Sequence, residues 1–133
     1  AFYVFNRLGS LNEVGGEPAR FGLPPAELHA TFRDRAEQWP GGLSPLSTHD
    51  TKRGEDVRAR INVLAEWPDE WSRRVTRWAA LNRSHKVDVD DAPAPDPNEE
   101  YLLYQTLVGA WPIAGSPDDD LPAFTRRGQE NMN

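Results

Sequence analysis

Asn98-Glu99-Glu100-Tyr101-Leu102-Leu103-Tyr104-Gln105-Thr106-Leu107-Val108-Gly109-Ala110-Trp111-Pro112 is the stretch around which the rest of the chain is read. Asn98 is suited to cap a helix, and Glu99 and Glu100 favour the positive end of its dipole. From Tyr101 to Trp111 the residues are apolar almost all round. A helix of that kind belongs at the centre of a fold rather than on its surface. Pro112 stops it.

Working outward, the neighbours are also helical. Asp69 and Glu70 open a helix in which Trp71, Val75, Trp78 and Leu81 fall at i, i+4, i+7 and i+10, with Arg73, Arg74 and Arg77 off that face. A helix from about Glu55 carries Val57, Ile61 and Leu64 and ends at Trp67-Pro68. Another starts at Pro24-Pro25, stacks Leu28, Phe32, Ala36 and Trp39, and ends at Pro40-Gly41-Gly42. In residues 2–14, Val4/Phe5, Leu8 and Leu11 have helical spacing, with Gly15-Gly16 as a stop. Asp120 is placed to cap a last helix from Leu121. Residues 84–98 are polar and proline-rich and read as a surface loop. Residues 41–53 read as a loop, or as a short strand of a larger parent. The expected class is mainly α, with five to six helices, weak strand signals and no internal repeat.

A chain of 133 residues has room for one domain. Lys plus Arg is 15 against 21 for Asp plus Glu, a net charge of −6, which argues against a nucleic-acid partner. With no cysteine, disulfides, thiolate zinc sites and cysteine nucleophiles are excluded. The hydrophobic share of 38% and mean hydropathy of −0.72 are low for a free-standing globule. Exposed Trp and Leu would then favour self-association. No apolar run approaches the roughly 20 residues that span a bilayer, and no signal-peptide pattern is visible, so no membrane is expected and the expected compartment is the cytoplasm. The chain starts at Ala1 and stops at Asn131-Met132-Asn133 in a helix-like run, as an excised piece would. Residues 87–120 hold acids and no base, whereas 51–86 is Arg-rich, so the two stretches are complementary.

The densest polar cluster is Ser47-Thr48-His49-Asp50-Thr51-Lys52-Arg53-Gly54-Glu55-Asp56. It sets an acid, an imidazole, two cations and hydroxyls on one connection, where active-site groups often sit. Alternatively it is a helix start, with Thr51 as cap and Lys52 and Arg53 solvated. His29 and His85 show no metal-ligand spacing with His49, and no H-E-x-x-H pattern occurs, so no metal is expected. Asp88, Asp90 and Glu99 fall at positions 1, 3 and 12 of a notional calcium loop, but Pro93 stands where that loop needs Gly. A helix-turn-helix across Trp67-Pro68 conflicts with the acidic charge and the central proline.

Three segments carry more than composition. Asn6-Arg7-Leu8-Gly9-Ser10-Leu11-Asn12-Glu13-Val14-Gly15-Gly16-Glu17-Pro18, then Leu46 to Arg60, then Tyr101 to Pro112 resemble the maltooligosyltrehalose synthases of the α-amylase superfamily, in the family's order. The resemblance covers most of the chain from Phe2 to Pro112. It implies an internal fragment of a (β/α)8-barrel enzyme: a helical insertion (1–42), a catalytic-loop segment (43–53) at the end of a late barrel strand, and a helical subdomain (54–133).

The resemblance further implies an isomerisation, in which the reducing-end α-1,4 linkage of a maltodextrin becomes an α,α-1,1 linkage. Asp50 would be the third catalytic carboxylate, bonded to hydroxyls of the distorted sugar. His49 would bind the same hydroxyls, Lys52 would contact the transferred glucose, and Arg53 would join them in binding substrate. The implied partners are a maltooligosaccharide and the remainder of the barrel, with no cofactor. The family's nucleophile Asp and acid Glu lie in motifs that this sequence does not contain, so the chain alone is expected to be inactive. Asn12, Glu13 and the Gly15-Gly16 turn would help shape the site, with no individual role assigned. The competing expectation is a non-catalytic helical binding or scaffolding module.

Overall fold

The computed structural model describes residues 4–114 and 120–130. Within them the chain forms α1 (Pro25–Gln38), α2 (Glu55–Asn62), α3 (Pro68–Asn82), a hairpin of β1 (Val87–Val89) and β2 (Ala92–Ala94), α4 (Pro97–Ala110) and α5 (Leu121–Glu130). The mainly helical class stands.

The apolar stretch does form the centre. Helix α2 lies along α4, and the approach is close because Gly109 has no side chain: a Cβ there would sit 2.7 Å from Val57 Cγ1 and 3.1 Å from Ile61 Cγ1. Ile61 is fully buried in that contact. Helix α3 meets α4 through aromatic rings, with Trp71 6.0 Å from Tyr101 and Trp78 5.2 Å from Tyr104, centroid to centroid. These distances suit tilted aromatic pairs. The end of α4 is closed by Arg60, whose guanidinium donates to the carbonyls of Gly109 (3.2 Å) and Trp111 (2.7 Å). It thereby satisfies acceptors that a helix end leaves without partners.

Three expectations of local structure need correction. Asp96, not Asn98, caps α4: it accepts from the N–H groups of Asn98 and Glu99 while Glu99 returns to the Asp96 N–H, a capping box. Residues 4–14 contain only the 3-10 turn Gly9–Leu11 instead of a helix, and Phe2 and Tyr3 of that expectation lie outside the described residues. The reason is competition: distant side chains take the backbone groups of Asn6 and Gly9 that a helix would use. The loop at 84–98 contains the hairpin, with Val87 opposite Ala94 and Val89 opposite Ala92. Its two turn residues, Asp90 and Asp91, have φ of 50° and 62°, the positive values of a type I′ turn. Residues 43–50 form a loop, the first of the two forms expected of 41–53. A strand needs a ladder partner, and none of the described residues supplies one.

Helix α1 buries no residue, and Phe32 and Trp39 lie 59% and 71% exposed. Leu81, expected on the buried face of α3, is also exposed, whereas Trp71 is buried. The apolar core is small: Leu8, Ile61, Trp71 and Tyr104, beside buried Asn6, Ser10, Asn12, Glu100 and Gln105. Among the described residues, no helix is long and apolar enough to cross a membrane.

The complementary charges meet at one buried point. Lys86 Nζ lies 2.7 Å from Glu100 Oε2, and Tyr104 donates its hydroxyl to Glu100 Oε1 at 2.5 Å. Burial pushes the Glu100 carboxyl up, but Lys86 and Tyr104 outweigh it and hold it below the ordinary 4.5. Burial also raises the Tyr104 hydroxyl, with Glu100 adding to the effect. A carboxyl with a lowered native pKa contributes stability that is fully present above about pH 4.5 and is lost as pH falls through the native value. Lys86→Met should therefore cost about 3 kcal/mol at pH 7, by leaving a buried carboxylate without its cation. It should also flatten the acid side of the stability curve. Thermal unfolding from pH 3 to 7 checks both; superimposable curves for the two proteins would contradict them.

Candidate active site

The polar cluster is an exposed loop between α1 and α2. Its outer turn is built by two hydroxyls. The Thr48 N–H donates to Thr51 Oγ1 (2.6 Å), the Asp50 N–H to Thr48 Oγ1 (3.3 Å), and the Thr51 N–H to the Thr48 carbonyl (3.2 Å). Ser and Thr make such local bonds readily, which is why this composition favours a turn over a strand. Thr51 is thereby committed within the loop and does not cap α2; Gly54 occupies that position.

On this turn His49 Nε2 and Asp50 Oδ2 lie 3.4 Å apart, with side chains 91% and 60% exposed. Both side chains are open to solvent. Lys52 follows, also exposed. Arg53 turns inward, its Nη1 donating to the Gly9 carbonyl at 3.2 Å. Behind the turn, Ser47 donates to Glu55 Oε2 at 2.5 Å, which lowers the Glu55 pKa, and Arg58 bonds the Leu46 carbonyl. Of the four expected site residues, His49, Asp50 and Lys52 thus share the exposed edge of the loop, and Arg53 joins the loop to the body.

Glu13 is what ties this edge down. Its Oε1 accepts from the Lys52 N–H (2.6 Å) and its Oε2 from the Arg53 N–H (3.1 Å), and Oε1 also takes the Val14 N–H (3.0 Å). Burial pushes this carboxyl up, but those N–H groups and the Arg58 charge outweigh it and hold it below 4.5. Gly15, at φ +73°, and the Gly16 N–H bond to the Glu13 carbonyl (2.8 Å) turn the chain back just after it. The segment carrying Glu13 is itself fixed to α4. The fully buried Gln105 accepts from the Gly9 N–H through Oε1 (2.7 Å) and donates from Nε2 to the Asn6 carbonyl (2.8 Å). On the other side, Ser10 bonds Asn62 of α2 at 2.5 Å.

The family-like segment 6–18 places Glu13 near the site, but local pattern gives neither Glu13 nor Gln105 a role, because their partners lie 39 to 99 residues away. The available hint was that Gln105 interrupts an otherwise apolar helix. His29 on α1 and His85 beyond α3 stand outside this cluster. Among the described residues, no group of three His, Asp or Glu side chains could hold a metal ion. Asp88 and Asp90 belong to the hairpin, and Glu99 to the α4 capping box.

A bond from a backbone N–H to a charged group contributes about 1.5–3 kcal/mol. Glu13→Ala should accordingly speed amide hydrogen exchange at Lys52 and Arg53 by about tenfold or more, leaving the amides of α3 as they were. Unchanged exchange at both amides would contradict the role given to Glu13.

No family model matches the chain. A Mycobacterium tuberculosis protein that carries the name maltooligosyl trehalose synthase is 48% identical over 114 residues, which is 86% of this chain and 14% of that protein. The solved maltooligosyltrehalose synthase of Arthrobacter ramosus is 44% identical with a TM-score of 0.70, covering 85% of this chain and 14% of that one. A Sulfolobus tokodaii structure named for the same synthase is 34% identical with a TM-score of 0.75, over 98% of this chain and 16% of that one. The chain therefore spans about one seventh of the length of the relatives it matches. In sequence and in helical fold, the chain matches one segment of the maltooligosyltrehalose synthases.

Proposed function

We propose that this segment supplies the sugar-binding loop of a trehalose-forming transglucosidase. The whole enzyme would convert the reducing-end α-1,4 linkage of a maltooligosaccharide to an α,α-1,1 linkage, as a cytoplasmic isomerase of trehalose biosynthesis that needs no cofactor. The observation that carries this is the outward-facing His49–Asp50 pair on a loop tied to the body through backbone groups. It is joined by the likeness of the chain to proteins that bear the synthase name.

In a retaining mechanism one carboxylic acid protonates the leaving oxygen while a carboxylate attacks the anomeric carbon. Those two groups would come from elsewhere in a (β/α)8 barrel, with the loop at the C-terminal end of one of its strands. Asp50 would accept hydrogen bonds from two hydroxyls of the sugar at the cleaved bond. Such bonds strengthen as the ring flattens and positive charge develops. His49 would meet the same hydroxyls. Lys52 would hold the released glucose, and Arg53 would add positive charge and donors beside it. The released glucose then attacks the glycosyl-enzyme through its own anomeric hydroxyl. Water must be kept out until it does. The exposed faces of α1 and of the aromatic helices would be covered by the remainder of the barrel and would drive self-association of the isolated chain.

In the full-length enzyme, Asp50→Asn should cut the loss of reducing ends from maltopentaose by about 10³-fold or more, with the fold intact by circular dichroism. In the same assay the 133-residue chain alone should convert none. Near-normal turnover by Asp50→Asn would overturn the assignment of this loop.

A further inference from the structure

The loop that bears Asp50 is held from a distance. Its local bonds, between Thr48 and Thr51 and from Asp50 to Thr48, fix the shape of the turn and not its place on the body. Its place is fixed two and three residues later. There both oxygens of Glu13 accept successive N–H groups, at Lys52 (2.6 Å) and Arg53 (3.1 Å). Two acceptors on one planar carboxylate, meeting two adjacent peptide groups, define a direction as well as a distance. Arg53 adds a third tie, from its guanidinium to the Gly9 carbonyl at 3.2 Å. Glu13 cannot drift in turn, because Gly9 is bonded to the fully buried Gln105 and Ser10 to Asn62.

We propose that Glu13 is a positioning residue of the reaction: by gripping the backbone of Lys52 and Arg53 it fixes the side of the sugar site where the released glucose waits, and so decides between isomerisation and hydrolysis. The proposal rests on the functional reading above. The glycosyl-enzyme can be attacked by either of two nucleophiles, the anomeric hydroxyl of the retained glucose or a water molecule. In both cases a new C–O bond forms at the anomeric carbon and the bond to the enzyme carboxylate breaks. The attacking oxygen passes its proton to the carboxylate that earlier served as acid. The two outcomes balance alike and differ only in which oxygen is nearer. A group displaced by about 1 Å can cost roughly 10²-fold in rate, so the grip on Lys52 bears directly on that choice.

The test uses the full-length enzyme with maltopentaose, measuring free glucose and the trehalose-ended product separately. Glutamine at this position keeps the size of Glu13 but has a single acceptor oxygen, so it can hold only one of the two N–H groups well. Glu13→Gln is expected to raise the ratio of free glucose to trehalose-ended product by about fivefold or more and to lower kcat by about tenfold. A carboxylate with a merely structural role would lower the melting temperature and the yield of active enzyme but leave that ratio alone. A ratio within about twofold of wild type in folded Glu13→Gln enzyme overturns the proposal. Should Glu13→Gln give no folded enzyme, Glu13→Asp takes its place and is read by the same ratio; it keeps both oxygens on a stem one methylene shorter. Asp50→Asn, assayed in parallel, separates the two levels. If it turns over normally, the functional reading fails and this proposal with it. If it is inactive while the Glu13→Gln ratio is unchanged, the positioning role alone fails.

Discussion

The side-chain amide of Gln105 is the interaction on which the arrangement depends. It lies fully buried in α4, accepts a hydrogen bond from the Gly9 N–H on one side and donates one to the Asn6 carbonyl on the other. The partners are backbone groups of fixed polarity, so the amide has one orientation. An unpaired buried donor or acceptor costs about 1–3 kcal/mol, which makes both bonds hard to forgo. From this point order passes outward. Gly9 fixes the segment that ends in Glu13, Glu13 holds the N–H groups of Lys52 and Arg53, and these fix the turn that presents His49 and Asp50. A polar group inside the central helix thus places a loop that makes few contacts of its own.

Elsewhere the molecule is thinly packed. Four apolar residues make up the buried hydrophobic core among the described residues, and polar side chains are buried beside them. What binds α2, α3 and α4 is a close helix approach at Gly109, a string of aromatic rings, and the Lys86–Glu100–Tyr104 group. Polar networks of this kind specify one arrangement when every member is satisfied, but they add less net stability than apolar burial. The large exposed side chains of α1 and of the loop after it, Phe32, Trp39, Leu43 and Leu46, accord with a segment that makes up about one seventh of its relatives.

The helices were legible because their signals are local. Trp71, Val75 and Trp78 recur at helical spacing, Pro24-Pro25 marks the start of α1, and α4 is apolar almost all round. Where an outcome depends on a distant partner, local pattern misled. The spacing of Phe5, Leu8 and Leu11 suggests a helix, but Gln105 claims the backbone that would have made it. The hairpin was hidden by its prolines, although two Asp between Val87-Asp88-Val89 and Ala92 is an acceptable type I′ turn. The site was half visible. The polar cluster stands out by composition, and the family motif points to His49 and Asp50. The carboxylate that holds the loop, Glu13, lies 39 residues before the Lys52 N–H it accepts, so local pattern gives it no role.

In the proposed arrangement the Asp50 loop, held by Glu13, faces a sugar bound by the whole enzyme. A crystal structure of the full-length protein with a bound maltooligosaccharide tests it most directly. Asp50 should accept hydrogen bonds from two hydroxyls of the sugar ring at the cleaved linkage, at about 2.5–3.0 Å, with Glu13 still bonded to the Lys52 and Arg53 N–H groups. A sugar bound elsewhere, with Asp50 facing solvent or packed against protein, would contradict it.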